Sequence, residues 1–126
     1  MQKGLTLGLL LAGSIGTASA QDIAAGESAF RKCQVCHDVG ERARNKLGPM
    51  LNGLDGRKAG TVEGYEYSEA NKNSGIVWSG ATFKEYLMDP SIKMPGTKMM
   101  YANKSEQENA DLWVYLKQFG SDGKKK

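Results

Sequence analysis

Cys33-Gln34-Val35-Cys36-His37 sets two thiols three positions apart with an imidazole directly after the second. The chemistry that needs this spacing is covalent attachment of haem. Each thiol adds across a vinyl group as a thioether, and the short span then brings the histidine nitrogen under the iron. His37 is the only histidine in the chain, which limits how the other face of the iron can be bound. Three other uses of these residues fit less well. A redox dithiol belongs in a βαβ setting with hydrophobic strand runs, and none flanks Cys33. A structural zinc site needs four protein ligands, which these three residues could complete only with a carboxylate. A disulfide between residues so close would gain little chain entropy and leave His37 without a role.

The elements that must position this pentapeptide read as helices joined by long loops. A first helix is expected from about Asp22, as N-cap, with Ile23, Gly26 and Phe30 at helical spacing up to the motif. Gly26 weakens a helix unless another helix crosses closely there. The clearest helical pattern is at the far end, Glu106 to Phe119: Leu112, Trp113, Tyr115, Leu116 and Phe119 share a face, Ser105 caps the start and Gly120 marks the stop. Glu106 and Glu108 in its first turn and Lys117 in its last suit the helix dipole. A middle helix is expected from Ser79 or Ala81 to Met88, with Phe83, Tyr86 and Leu87 on one face, ended by Asp89-Pro90. A short helix fits Glu69 to Lys72, and Ser121 to Lys126 reads as a frayed basic tail. The glycine-rich stretch from Gly40 to Gly64 shows no helical or strand period. Loops that long need something to pack on, and a large flat cofactor would provide it.

Residues 1–20 read as a cleaved secretory signal. Lys3 is the positive start, Leu5 to Ala12 the apolar stretch and Ala18-Ser19-Ala20 the small-residue cleavage site. The apolar stretch is short of the roughly 20 residues that span a bilayer. Cleavage would leave residues 21–126 as one small domain, expected outside the cytoplasmic membrane and not itself membrane-spanning. The formal charge of +3 falls to +2 without Lys3. Two haem propionates and a ferric iron would bring the total near zero, which leaves nucleic acid without support as a partner.

With His37 used on one side, the second iron ligand is a methionine, a lysine or none. Met88 and Met100 read equally well as packing residues, and Met50 and Met94 sit beside prolines. Met99 follows the turn-forming Pro95-Gly96-Thr97-Lys98 and is reasonably placed to present a thioether. The spacing alone leaves these alternatives open.

Cys33 to His37, Gly48-Pro49, Asn71-Lys72-Asn73-Ser74-Gly75-Ile76 with Trp78, and Pro95 to Met99 occur in that order. Together they resemble the class I cytochromes c, most nearly the bacterial cytochrome c2 branch, over almost the whole chain after residue 20. The resemblance implies an all-α fold of three to five helices, with long loops around one covalently bound haem c and the first and last helices crossing. It implies thioethers at Cys33 and Cys36 and axial iron ligands at His37 and Met99. It implies a Pro49 carbonyl that fixes the His37 ring, and a propionate site at Tyr67 and Trp78 with Arg57 nearby. Asn71, Tyr86 and Thr97 fall where the family holds a polar network beside the thioether. Taken alone, Trp78 and Tyr86 would be ordinary core aromatics and Arg57 part of a solvated loop.

The function so implied is single-electron transfer by a periplasmic monomer. The donor would be a quinol-oxidising cytochrome bc complex, and the acceptor a photosynthetic reaction centre or terminal oxidase. Lys32, Lys46, Lys98 and Lys104 would steer it to acidic partners. A peroxidase or gas sensor would need an accessible iron position and usually a distal base, and no second histidine exists to serve. A non-redox binding module would use the cysteines only structurally.

Overall fold

Two distant stretches of chain meet at Gly26. The structure, a computed structural model, describes residues 15–126, with side chains from Asp22 onward. It contains α1 (Ile15–Phe30), α2 (Glu69–Lys72), α3 (Gly80–Met88), α4 (Pro90–Lys93) and α5 (Glu106–Leu116). Among the described residues there is no strand, only two isolated antiparallel bridges, Lys58 with Val77 and Phe119 with Lys125. Where α1 crosses α5, a Cβ on Gly26 would collide with the Asp111 carbonyl and lie 2.7 Å from the Tyr115 Cβ. The helix-weakening glycine is thus the condition for close approach. Phe30, Leu112 and Leu116 are each 1% exposed beside this contact, and burying each contributes roughly 1.5–3 kcal/mol. The Phe30 and Tyr115 rings pack with centroids 5.7 Å apart.

Helix α3 starts where local chemistry demands. Ser79 Oγ accepts from the Thr82 N–H at 3.2 Å and Thr82 Oγ1 accepts from the Ser79 N–H at 2.8 Å, a reciprocal capping box. Phe83, Tyr86 and Leu87 form its buried face, and the Phe83 ring packs on Trp113 of α5 at 5.2 Å between centroids. Ser68 and Ser105 cap α2 and α5 more simply, each side chain accepting one N–H, from Asn71 and Glu108 respectively.

Four expectations need correction. Helix α1 begins at Ile15, not near Asp22. Ala18, Ala20 and Gln21 are good helix formers, and nothing among them stops the backbone helix. Residues 1–14 of the expected signal lie outside the described residues. Pro90 ends α3 but also opens α4, where a first-turn proline needs no N–H partner. Helix α5 stops at Leu116 with Lys117 as its C-cap rather than in its last turn, because Phe119 is drawn into the bridge with Lys125.

The tail is also not frayed. Gly120 N–H donates to Lys124 O at 2.9 Å and Lys126 N–H to Gln118 O at 2.8 Å. Gly123, at φ +84°, is buried against the Gly40 carbonyl, with no room for a Cβ. Only glycine satisfies both the backbone conformation and that approach.

Candidate haem site

The turn after α1 carries the thiols. Cys33 N–H and Gln34 N–H both donate to Phe30 O, and Cys36 N–H and His37 N–H both donate to Cys33 O. The motif is therefore wound tightly onto the end of α1, which is itself fixed by α5. Cys33 and Cys36 are free thiols on the wall of a cleft of about 560 Å³, within the roughly 300–1,000 Å³ range of cofactor sites. Burial pushes the Cys33 thiol up to about 11. A redox dithiol would instead need a depressed value.

His37 is oriented from two directions. Its Nδ1 lies 2.7 Å from the Pro49 carbonyl, so Nδ1–H donates there and the Nε2 lone pair is left for a metal. Behind the ring, a Cβ on Gly48 would lie 2.8 Å from Nδ1 and 2.9 Å from Nε2. Burial lowers the His37 pKa, opposed by the Pro49 hydrogen bond, so the ring is neutral near pH 7. That is the form that coordinates.

All the other residues expected in the haem pocket line this cleft: Pro49, Arg57, Tyr67, Asn71, Trp78, Tyr86, Thr97 and Met99. Arg57 Nη1 donates to Met50 O at 3.0 Å and Asn52 O at 2.9 Å, while its buried Nε has no partner. Burial lowers its pKa, as expected for a cation held away from water. Asn71 Oδ1 is likewise buried without a donor. Tyr67 Oη accepts from the Val62 N–H at 3.0 Å, which keeps its own hydrogen available to donate. The Arg57 Nε–H and the Tyr67 hydroxyl are donors that the carboxylate arms of a bound porphyrin would use, so the residues fit that group. Opposite polarity marks the rest of the wall, where Leu51, Leu54, Phe83, Leu87, Leu112 and Leu116 face the cleft.

Tyr86 Oη lies 2.6 Å from Thr97 Oγ1, which accepts from the Met99 N–H at 3.2 Å. This chain ties the loop carrying Met99 to α3. Of the five methionines after residue 20, only Met99 and Met100 line the cleft. Met94 is packed in the core at 2% exposure, and Met88 Sδ accepts from Asn109 Nδ2 at 3.6 Å. Met100 is 91% exposed, at the cleft mouth.

The four lysines expected to steer docking do not form one free group. Lys32 and Lys98 line the cleft; Lys46 and Lys104 do not. Lys32 is bound to Glu108 and Lys104 lies 3.7 Å from Asp89, so two of the four charges are countered within the chain. Lys46 Nζ donates to Gln34 O at 2.7 Å, and Lys98 Nζ to Glu66 O at 2.8 Å while lying over the Tyr65 ring.

Two contributors escaped the sequence reading. Asn52, 8% exposed, clamps Gly40 through both backbone groups: Gly40 N–H donates to Oδ1 and Nδ2 donates to Gly40 O, each at 2.9 Å. Tyr65 Oη donates to Leu47 O at 2.6 Å and joins two loops at the mouth. Asn52-Gly53 carried a turn signal, but nothing local indicated the Gly40 clamp.

Comparison with known proteins agrees with this geometry. The cytochrome c family model matches residues 23–120. A cytochrome c2 of Rhodoplanes tepidamans is 63% identical over 107 residues, 84% of this chain and all of that protein. A cytochrome c2 of Blastochloris viridis is 56% identical over 126 residues, 98% of this chain and 99% of that protein. The solved cytochrome c2 of Rhodospirillum centenum superposes with a TM-score of 0.75 at 37% identity, covering 79% of this chain and 98% of that one. The chain belongs to the cytochrome c family, an electron carrier rather than an enzyme, whose two cysteines fit one covalently bound haem c.

Proposed function

We propose that this chain shuttles single electrons in the periplasm, after removal of residues 1–20, and that His37 Nε2 and Met99 Sδ are the groups that would hold the iron of one haem. The observation that carries this reading is the shared cleft: one neutral imidazole with its Nδ1 committed to Pro49, and Met99, whose backbone N–H is held by Thr97, beside both thiols. When bound, haem supplies a one-electron iron couple. The protein's part is to keep both ligands in place in either oxidation state. Gly48 and Pro49 fix the imidazole, and the Tyr86–Thr97 hydroxyl pair fixes the methionine loop. Thioether ligation and an apolar wall both favour the less charged ferrous state and raise the potential. Arg57, Tyr67 and Trp78 are the groups for a propionate, with the orphaned Arg57 Nε the strongest single donor.

Electrons would come from a quinol-oxidising cytochrome bc complex and go to a photosynthetic reaction centre or a terminal oxidase, through transient contacts of a monomer. The likeness to proteins called cytochrome c2 supports that placement. Among the described residues no helix is long and apolar enough to cross a membrane. Of the docking lysines, Lys46 and Lys98 retain charge uncountered by an acid and would dominate.

The ligand assignment is tested with Met99→Ala and Met100→Ala. The first should abolish the ferric sulfur-to-iron charge-transfer band and lower the potential, and the second should leave the band in place. Survival of the band in Met99→Ala and its loss in Met100→Ala would move the ligand by one residue. Rates of oxidation by isolated membrane complexes would identify the acceptor, and they should fall with salt.

A further inference from the structure

The segment that carries Met99 is tied twice to α3. At its near end Thr97 Oγ1 meets Tyr86 Oη at 2.6 Å. At its far end the Asn103 N–H donates to the carbonyl of Leu87, the next residue of the helix, at 2.8 Å. That carbonyl belongs to the last turn of α3, where no N–H of the helix itself reaches. Among the described residues the backbone of Met100, Tyr101 and Ala102 makes no hydrogen bond, so the reach of the thioether depends on the two ends.

Helix α5 closes on the second end. Asn109 Nδ2 donates to the Asn103 carbonyl at 2.9 Å. The Asn103 side chain accepts from the Ser105 N–H at 3.0 Å and donates to Glu108 Oε1 at 2.6 Å, so all of its polar groups, backbone and side chain, are engaged. Asn109 itself is poorly satisfied. It is 0% exposed, its Oδ1 has no donor, and its remaining contact is a weak one to Met88 Sδ at 3.6 Å. A buried acceptor without a partner destabilises a packing face, and a small apolar residue at this position would avoid that cost. The packing of α5 therefore does not account for an amide here. The hold on Asn103 does.

We infer that Asn109 is a positioning residue for the iron ligand: through the Asn103 carbonyl it fixes the far end of the Met99 segment and keeps the thioether at the iron. The inference rests on the reading of Met99 as ligand given above. Gripped at both ends, the segment stays in place when the iron changes charge. Without the amide, Asn103 is left to α3 and its neighbours, and the segment swings away more often.

The test is imidazole titration of the haem-loaded protein, followed by loss of the ferric charge-transfer band, because this neutral ligand reaches the iron only when the thioether leaves it. In N109A the apparent affinity should rise roughly five-fold, the worth of one hydrogen bond. V114A, a truncation on the same helix outside this network, should change it less than about two-fold. The unmodified protein gives a second readout. By linkage, imidazole should quicken hydrogen exchange at the Asn103 amide by the same roughly five-fold factor, with the Leu112 and Leu116 amides of α5 unchanged. Unchanged affinity in N109A would overturn the inference. Equal gains in N109A and V114A would also do so, by reducing Asn109 to general packing, as would Asn103 exchange that ignores imidazole. Should the band survive Met99→Ala, the ligand reading itself fails; with the band lost there and N109A behaving as the parent, only the role of Asn109 fails.

Discussion

The crossing of α1 and α5 and the cleft beside it share residues but satisfy their chemistry in opposite ways. At the crossing, Gly26, Phe30, Leu112 and Leu116 complete one another, and the backbone groups are spent within the helices. In the cleft, buried Arg57 Nε and Asn71 Oδ1 have no partner, and the walls opposite α3 and α5 are loops joined by a few side-chain hydrogen bonds. One region is finished by the chain itself. The other is finished by what it holds, and this is why a fold with so few residues in helices can still be well ordered.

That contrast can be broken most severely at Gly26. Gly26→Val should cost about 3 kcal/mol or more in denaturant unfolding, since the neighbouring atom is backbone and cannot rotate away. Ala25→Val, on the exposed side of the same helix, should cost under about 1 kcal/mol. On the cleft side, Asn52→Ala removes both clamps on Gly40 and should cost about 1–3 kcal/mol, with faster hydrogen exchange at Gly40. Tyr86→Phe should cost about 1 kcal/mol and loosen the Met99 loop, detected as a weaker charge-transfer band at raised temperature.

The smallest effect is expected at the rim. Glu108 is held below its ordinary carboxylate value by the hydrogen bond from Lys32. A depressed folded pKa means that its contribution is complete above the ordinary value of 4.5 and fades as pH falls through the folded one. Glu108→Gln should therefore cost about 0.2–1 kcal/mol at pH 7 and progressively less below pH 4.5, followed by thermal melting across that range. It should also release Lys32 and steepen the salt dependence of partner association.

The same contrast governs what could be read in advance. Helices α3 and α5 were legible because their caps, Ser79 and Ser105, and their apolar faces are local in sequence. The glycine that allows the crossing was legible as a packing requirement, though not its partner atoms. The pentapeptide announced its own chemistry. The roles of Arg57, Tyr67, Asn71 and Thr97 came from resemblance alone, because a polar residue in a loop carries no period. Helix α4 escaped because its single turn starts with the proline read as a stop. The tail was misjudged for a related reason: Gly123 matters through Gly40, and no local pattern reports a fit between such distant residues.

The contact of Gly26 with Asp111 and Tyr115 has a consequence for the order of assembly. A chain lengthening from its amino end presents Cys33 and Cys36 long before α5 exists, so the wall formed by Leu112 and Leu116 is the last to arrive. Closing so long a loop is entropically unfavourable until both faces are available. The thiols are thus presented early on an open chain, and the final helix is the last wall to close beside them.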